Sequence, residues 1–424
     1  MPMKLKRRTV LLGGIGGAAA VAAGLKPRDH GENHSPYFSD LSTALDAVPA
    51  VGPTLVVDRQ KLLANIATLK SHIGDRFHYR IVAKSLPSIG LLQTIMSAAD
   101  SNRLMLFHQP FLSQVATELP ASDVLMGKPM PVSAAAAFYK THRYSEFDHE
   151  QQLQWLLDTP RRLQQYAGLA DSLELGMRIN IEIDVGLHRG GVQSDADLHA
   201  MLQIIQDHPR LNFAGLMGYE PHIVKVPGDP LAYRERAMAV YRERLSSARD
   251  FLGEAWPANV TLNAGGSPTY QLYDRGDYPC NELSAGSCLV KPTDFDMPTL
   301  ADHQPASYIA TPVLKALDTL QLPVDYIGPL MAAWDPNRAR TFFTYGGYWK
   351  ALPESPKGLS TNSLFGRSAN QEMLNGSSTI DLQVDDWVFL RPTQSEFVFV
   401  QFGDIAVFDG GEIVERWPVL SANA

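Results

Sequence analysis

The chain has 424 residues, of which 45% are hydrophobic and 19% are charged, and its formal net charge at pH 7 is −8. That length allows one large domain and a smaller one, and the composition is that of a globular protein. An acidic chain whose basic residues cluster only in the first few positions argues against a nucleic-acid partner.

The N-terminal segment has the layout of an export signal. The basic pair Arg7-Arg8 precedes an apolar stretch from Val10 to Leu25, and small residues at Ala20–Ala23 offer cleavage sites. Paired arginines are typical of the twin-arginine route, and the stretch is too short and too rich in glycine for a good membrane span. We expect residues 1–30 to engage the twin-arginine translocation machinery and to leave a periplasmic protein without a stable membrane anchor. A short N-terminal anchor is the alternative.

Residues 31–50 are polar and are predicted to form a flexible lead-in, after which strand-like and helix-like segments alternate. The strand candidates are TLVVD, RIVAK, RLMLF, VLMGK, EFDHE, GMRINIEIDV, NFAGLMGYE and VTLNAG. Helical spacing marks the segments between most of them, including RQKLLANIATLKSHI and QQLQWLLD. The alternation predicts an α/β fold with a parallel (β/α)8 TIM-type barrel over residues 51–305. A doubly wound open sheet is the alternative, and the absence of a GxGxxG segment after an early strand favours the barrel.

The helices are predicted to stop after about residue 300. Residues 306–424 contain short, alternating, aromatic segments separated by Gly and Asp turns, which predicts a C-terminal antiparallel β domain. Within this domain, FDGGEIVERW is typical of a hairpin with Gly410-Gly411 at its turn.

Lys84 stands at the end of the apolar strand candidate RIVAK. Catalytic residues of barrels assemble at the C-terminal ends of the strands. A partly desolvated lysine at such a place can lose its proton and form a Schiff base. This position alone does not establish a catalytic role for Lys84, because a lysine at the end of a strand is more often solvated or ion-paired.

Three later segments deliver polar groups to the same predicted rim. EIDVGLHRGGV presents Arg189 beside glycines, and GYEPH presents Tyr219 and His222. NAGGSPTY follows a late strand, and its candidates for binding a phosphate through N–H and hydroxyl groups are Gly265, Gly266, Ser267 and Thr269. Each segment by itself is equally compatible with a surface turn or a structural histidine.

Taken together and in this order, the segments resemble the fold-type III pyridoxal-phosphate enzymes, which include alanine racemase. EIDVGLHRGGV is similar to the EIDVGxxRxGV segment of the D-threonine aldolase and D-serine dehydratase branch. GYEPH is similar to its GYEGH, and NAGGSPTY to its GGGTPTY. The resemblance covers about residues 50–422.

The resemblance implies that Lys84 carries pyridoxal 5′-phosphate as an internal aldimine, that Arg189 contacts the 3′-oxygen side and that Tyr219 lies by the ring. It assigns the phosphate to Gly265, Gly266, Ser267 and Thr269, and it makes His222 a catalytic candidate one layer behind the cofactor. It also implies a homodimer in which each active site lies near the partner's β domain.

One departure concerns the metal site of this branch. In these enzymes the metal is bound by a His and by a Cys or Asp two positions later. Gln394 and Glu396 stand there instead. Zn²⁺ is disfavoured, whereas these oxygen ligands suit Mn²⁺, Mg²⁺ or Ca²⁺. The other possibilities are that Glu396 acts directly as a base or that the β-hydroxyl chemistry has been lost. The residues after Lys84 also differ, being Ser85-Leu86-Pro87 rather than Thr-His-Lys.

The resemblance therefore implies a lyase that acts on D-β-hydroxy amino acids, of the D-threonine aldolase or D-serine dehydratase type. A periplasmic amino-acid racemase of the same fold is an alternative. It would need a second proton donor opposite Lys84, for which Tyr345 and Tyr348 are candidates. A non-catalytic protein that binds pyridoxal phosphate or amino acids is the third possibility.

Overall fold

The structure is a computed structural model that describes residues 26–49, 51–143, 145–324 and 326–421. Most of the predicted export signal lies outside these ranges. Within them, no helix combines the length and the apolar character that a membrane span requires. The described chain divides into two compact units. The barrel unit contains Leu55–Ser307 and the residues from Pro392 onward, and the antiparallel unit contains the residues up to Thr54 and Tyr308–Arg391.

The strands follow one another through both units. In chain order they are β1 (Thr54–Asp58), β2 (His78–Val82), β3 (Arg103–Leu106), β4 (Asp123–Met126), β5 (Leu153–Leu157), β6 (Met177–Ile183), β7 (Leu211–Gly218), β8 (Thr261–Ala264), β9 (Glu282–Ala285), β10 (Ser307–Leu317), β11 (Arg340–Tyr345), β12 (Ala351–Ser355), β13 (Ser360–Thr361), β14 (Gln371–Gly376), β15 (Trp387–Pro392), β16 (Asp404–Asp409) and β17 (Glu412–Pro418).

The α-helices lie mostly between the strands of the barrel unit. They are α1 (Pro36–Asp46), α2 (Arg59–Ile73), α3 (Ile89–Ala99), α4 (Gln109–Glu118), α5 (Val132–His142), α6 (His149–Gln152), α7 (Pro160–Leu173), α8 (Asp195–Asp207), α9 (Pro230–Leu252), α10 (Ile327–Trp334) and α11 (Ser395–Val398). The last two contradict the prediction that helices stop after about residue 300.

Strands β2 to β9 form a closed barrel of parallel strands. Strand β9 returns to β2 through register pairs that run from His78↔Glu282 to Ile81↔Ala285. Closure gives every strand a partner on both sides and leaves no unpaired edge. The predicted α/β class and the parallel (β/α)8 barrel are confirmed, and so is the additional antiparallel sheet.

Two stretches of the predicted barrel pattern are wrong. EFDHE and QQLQWLLD, predicted as strand and helix, contain helix α6 and strand β5. All residues of β5 are buried, and periodicity cannot distinguish so short an apolar run from a buried helical segment. TLVVD forms β1, which pairs with β16 outside the barrel, and the strand that closes the barrel is β9 in the segment NELSA.

The predicted C-terminal hairpin is present as β16 and β17. Its turn residues Gly410 and Gly411 have φ of 59° and 92°, the left-handed region that such a turn requires. Strand β16 pairs in parallel with β1, from Leu55↔Ile405 to Asp58↔Phe408. This pairing brings the chain from Pro392 onward into the barrel unit, whereas the sequence pattern places it with the C-terminal domain.

The antiparallel unit is built around β10, β11 and β14. Strand β11 pairs with β10 and β14, β13 extends β14, and β15 pairs with β10. The lead-in predicted to be flexible instead contains helix α1, because its apolar face is buried: the Phe38 ring lies 5.1 Å from that of Tyr308 and 5.0 Å from that of Phe389. The Trp387 indole N–H donates to Asp46 at 2.8 Å at the end of the same helix.

A buried ion pair joins β2 to β9 inside the barrel. The Arg80 guanidinium donates to both carboxylate oxygens of Glu282, at 2.5 and 2.9 Å, and both side chains have 0% exposure. Arg80 also donates to the carbonyl oxygens of Leu104 and Asp123, and Glu282 accepts from Arg103 at 2.9 Å. Because these groups satisfy one another, the pair stabilises the seam that closes the barrel.

Replacing Glu282 with Gln should lower the free energy of unfolding by about 3 kcal/mol, because it removes the buried carboxylate that Arg80 and Arg103 share and leaves Arg80 paired with Asp123 alone. Asp404→Asn is the matched control: Asp404 pairs with Arg416 at 3.0 Å on the surface, and its loss should cost less than about 1 kcal/mol. Urea unfolding followed by circular dichroism measures both. Equal losses in the two variants would show that the buried pair does not hold the seam.

Candidate active site

Residues at the C-terminal ends of all the barrel strands line one cavity of about 470 Å³. This rim is where the catalytic residues of such barrels lie. Of the residues predicted for the site, the cavity wall contains Lys84, Arg189, Tyr219, Gly265, Gly266, Ser267 and Glu396.

Lys84 lies in a single 3-10 turn, Ala83–Ser85, that directly follows β2. Its Nζ is 3.3 Å from Oε1 of Glu396 and 4.9 Å from the centre of the Phe107 ring. Its side chain is 39% exposed. The lysine is therefore held between a carboxylate and an aromatic face, and it remains open to a ligand in the cavity.

Glu396 reaches the cavity from the short helix α11, although residues 306–424 were predicted to form an antiparallel β domain. Oε1 accepts from Lys84, and Oε2 accepts from the Ser85 hydroxyl at 3.1 Å. The Ser287 hydroxyl in turn donates to Ser85 Oγ at 2.8 Å. The carboxylate is thus fixed by a cation on one oxygen and by a hydroxyl on the other.

The metal predicted for Gln394 and Glu396 does not fit this arrangement. Both Glu396 oxygens already accept hydrogen bonds, and one of them is paired with the positively charged group of Lys84. Across the four described ranges, no group of three or more His, Cys, Asp or Glu side chains is arranged to hold a metal ion. The residues present therefore fit neither Mn²⁺, Mg²⁺ or Ca²⁺ nor Zn²⁺.

Arg189 stacks on the Tyr219 ring, with its guanidinium carbon 5.1 Å from the ring centre. The turn that carries it is held by Asp184, which accepts from the N–H groups of Gly186 and His188, each at 3.0 Å. Burial raises the pKa of Tyr219 to about 12, so the phenol keeps its proton near neutral pH. Together these residues offer a ring-sized slot with a guanidinium and a phenol on one side.

The residues Gly265–Ser267 form an anion cradle after β8. The Ser267 hydroxyl accepts from the N–H groups of Gly286 and Cys288, at 2.9 and 3.2 Å, which fixes its oxygen at the cavity wall. In the part of the chain that the structure describes, the N–H groups of Gly266 and Ser267 have no hydrogen-bond partner. A Cβ on Gly266 would lie 2.8 Å from the Tyr219 ring. This combination of donors fits a phosphate.

Two predicted site residues lie behind the cavity rather than on its wall. Thr269 is fully buried, and its hydroxyl donates to Glu220 at 3.0 Å. His222 packs under the Arg189 turn, where its Nε2 would lie 3.2 Å from a Cβ on Gly186. Both residues support the loops that carry the cavity wall.

The cavity wall also contains residues that the sequence patterns did not single out, including Asp158, Glu182, Ser85, Ser287, Phe107 and Lys128. Burial and the neighbouring Asp158 raise the pKa of Glu182 to about 7. Glu182 could have been identified from the sequence. Side chains alternate between the two faces of β6, and this alternation puts Glu182 on the same face as Asn180, inside the barrel. Ser287 carried no such signal, because it follows a strand that was not recognised.

The chain is similar to known proteins over most of its barrel unit. The family model described as alanine racemase, N-terminal domain, matches residues 57–294. A D-threonine aldolase from Arthrobacter sp. is 30% identical over 128 residues. That match spans 29% of this chain and 32% of the length of that relative, about a third of it.

Solved structures share the fold at low sequence identity. A D-threonine aldolase from Filomicrobium marinum has a TM-score of 0.69 at 15% identity, with 89% of this chain and 99% of that chain covered. A D-threo-3-hydroxyaspartate dehydratase from Delftia sp. HT23 has a TM-score of 0.64 at 15% identity, with 87% and 97% covered. An alanine racemase from Bacillus anthracis has a TM-score of 0.65 at 13% identity, with 86% and 97% covered.

Glu220 provides a test of how the anion cradle is supported. It is fully buried, accepts from the Gly265 N–H at 3.3 Å and from Thr269, and burial raises its pKa to about 7. A glutamate with a raised pKa stabilises the fold at low pH, and that contribution is lost as the pH rises through the folded-state value.

Between pH 5 and pH 8 the free energy of unfolding of the wild type should therefore fall by on the order of 2 kcal/mol more than that of Glu220→Gln. The reason is that the Gln amide stays neutral over this range. Urea unfolding at the two pH values measures this difference. The exposed Glu412→Gln is the control and should follow the wild type. An unchanged pH dependence in Glu220→Gln would contradict the assignment.

Proposed function

Because the chain belongs to the alanine racemase N-terminal domain family of fold-type III pyridoxal-phosphate enzymes, we propose that it is a pyridoxal-phosphate-dependent lyase acting on D-β-hydroxy amino acids. The observation that carries the proposal is the presence of Lys84 and the anion cradle in one cavity at the C-terminal rim of the barrel. An amine and a phosphate site at that rim are the two fixed points that this cofactor needs.

The residues of the cavity fit the cofactor. The anion cradle would hold its phosphate, Tyr219 and Arg189 would flank its ring, and Lys84 would provide the amine that binds it. When bound, pyridoxal phosphate supplies an electron sink for negative charge at the substrate Cα. The exposed Lys128 and Arg189 place positive charge on the cavity wall, which suits the carboxylate of an amino acid.

Glu396 is the base that we assign to the substrate's β-hydroxyl. Cleavage of the Cα–Cβ bond requires that hydroxyl to give up its proton, and the Glu396 carboxylate lies in the cavity beside Lys84. Because the residues at positions 394 and 396 do not fit a cation, we assign the proton to this carboxylate directly. D-threonine would then yield glycine and acetaldehyde, as in a D-threonine aldolase. A D-serine dehydratase-like reaction would instead yield a 2-oxo acid and ammonia.

Within a single chain, the residues of the cavity favour a lyase over a racemase. A racemase needs a second proton donor opposite the lysine, and Tyr219, which stacks with Arg189, is the one tyrosine among the described residues that line the cavity. Tyr345 and Tyr348, the candidates from the sequence, belong to the antiparallel unit, where they are 44% and 65% exposed. They would serve a racemase only from the partner subunit of the proposed homodimer.

Lys84→Ala should abolish both cofactor attachment and lyase activity. Borohydride treatment of the wild type with pyridoxal phosphate should add a pyridoxyl group to the peptide that contains Lys84, detected by mass spectrometry. D-threonine should yield glycine and acetaldehyde without added metal. Activity should fall roughly 10³-fold or more in Lys84→Ala, because the group that makes the covalent bond is gone.

Lys140→Ala is the matched control, since Lys140 is exposed on helix α5. Attachment at Lys84 without glycine or 2-oxo acid would reject the lyase. L-allo-threonine, the Cα epimer of D-threonine, as the product would then indicate a racemase, and no product at all would indicate a binding protein. The absence of attachment at Lys84 would reject the cofactor assignment itself.

We also propose that residues 1–30 direct the folded protein to the periplasm through the twin-arginine route and that the mature protein is a homodimer. Replacing Arg7 and Arg8 with lysines should retain the protein in the cytoplasm, because the paired arginines are what the route recognises. Cell fractionation and immunoblotting measure this. Light scattering after size exclusion tests the dimer, and a monomeric mass would reject it.

A further inference from the structure

Three side chains form a hydrogen-bonded chain that ends on the lysine of the cavity. The Ser287 hydroxyl donates to Ser85 Oγ at 2.8 Å, the Ser85 hydroxyl donates to Glu396 Oε2 at 3.1 Å, and Glu396 Oε1 lies 3.3 Å from Lys84 Nζ. Lys84 and Glu396 are 312 positions apart in sequence. Ser85 and Ser287 are buried, with 1% and 5% exposure.

The direction of this chain follows from the chemistry of its members. An ionised carboxylate only accepts hydrogen bonds, so Ser85 must direct its hydrogen to Glu396. Ser85 can then only accept from Ser287. Each serine therefore has its hydroxyl hydrogen committed toward Glu396, and the carboxylate cannot rotate away from Lys84 without breaking a hydrogen bond to a charged group.

We propose that Ser85 and Ser287 are positioning residues that hold Glu396 on Lys84, so that Glu396 takes the lysine's proton when the lysine binds an aldehyde. The proton on Nζ would move to Oε1, and the freed electron pair would form the bond from Nζ to the aldehyde carbon. The two hydrogens that remain on Nζ would pass to the aldehyde oxygen, which would leave as water when the second bond between nitrogen and carbon forms. The inference rests on the proposed function, in which that aldehyde is pyridoxal phosphate. It assigns a positioning role to two serines and gives Glu396 a second role, as the acceptor of the Lys84 proton.

The surroundings of Lys84 make Glu396 the proton acceptor. The other charged groups on the cavity wall are Lys128, Asp158, Glu182 and Arg189. Glu396 is the carboxylate that the structure places within 4 Å of Lys84 Nζ among the described residues. On its other side the lysine meets the Phe107 ring, which can hold a cation but cannot take a proton.

The experiment measures the rate at which apoprotein takes up pyridoxal phosphate, followed by absorbance after mixing, in a set of variants. Ser85→Ala and Ser287→Ala should each slow uptake by about tenfold, because each weakens the hold on a charged acceptor. Ser85→Thr, which keeps the hydroxyl, should restore most of the rate. Ser88→Ala and Ser395→Ala are matched controls: both serines are buried, and their hydroxyls have no partner in the described chain.

A double-mutant cycle separates positioning from a merely structural role. In the Glu396→Gln background, Ser85→Ala should change the rate less than twofold, since the serine acts through the carboxylate. An equal slowing in both backgrounds would overturn the proposal, and so would an equal effect of Ser88→Ala. Thermal unfolding identifies any variant that has lost its fold.

Failure of the inference and failure of the proposed function give different results. If the wild type never attaches the cofactor at Lys84, the proposed function fails. If the wild type attaches it and the serine variants take it up at the wild-type rate, only the positioning role fails.

Discussion

Closure of the barrel is the constraint on which the site depends. All the barrel strands run in the same direction, so the residues after each strand meet at one rim. The seam between β2 and β9 completes the ring, and Arg80 and Glu282 lie buried across it. Without that seam, Lys84 after β2 and Ser287 after β9 would lie at opposite edges of an open sheet. The hydrogen bond between Ser85 and Ser287 exists because the two edges are neighbours.

The polar groups of the site are oriented by hydrogen bonds from the layer behind them. Ser267 is held at the cavity wall because two backbone N–H groups donate to its oxygen. Asp184 holds the turn that carries Arg189, and the buried Glu220 ties Gly265 to Thr269. Residues such as Thr269 therefore matter for the site although they do not reach the cavity. Groups fixed in this way need little reorganisation when an anion binds.

The carboxylate at position 396 arrives from the far end of the chain. The parallel pairing of β16 with β1 holds the C-terminal segment in the barrel unit. The N–H of Asp294 donates to the carbonyl oxygen of Thr393 at 3.2 Å, immediately before helix α11. This attachment sets Glu396 against Lys84, where the two side chains form an ion pair with Ser85 behind it.

Much of the barrel and of its rim could be predicted from the sequence, because both depend on local patterns. Helix α2 and strand β1 matched their segments since helical and strand periodicities are local, and the β16–β17 turn followed from its glycine pair. Lys84, Arg189 and the anion cradle could be placed at the rim because they directly follow strands. The assignment of β5 failed because a short, fully buried segment carries no periodicity.

The sequence by itself determined which residues follow the ends of the strands. These residues give the cavity the amine of Lys84, the guanidinium of Arg189 and the N–H donors of the anion cradle. Only the tertiary structure decided which groups Glu396 contacts. The sequence showed that a carboxylate stands where similar enzymes have a metal ligand, and it left a cation, a base or a loss of chemistry open. The folded chain brings that carboxylate within 3.3 Å of Lys84 and both serines into line behind it. Contacts across 312 positions depend on barrel closure and on strand pairing between the ends of the unit, which no local pattern encodes.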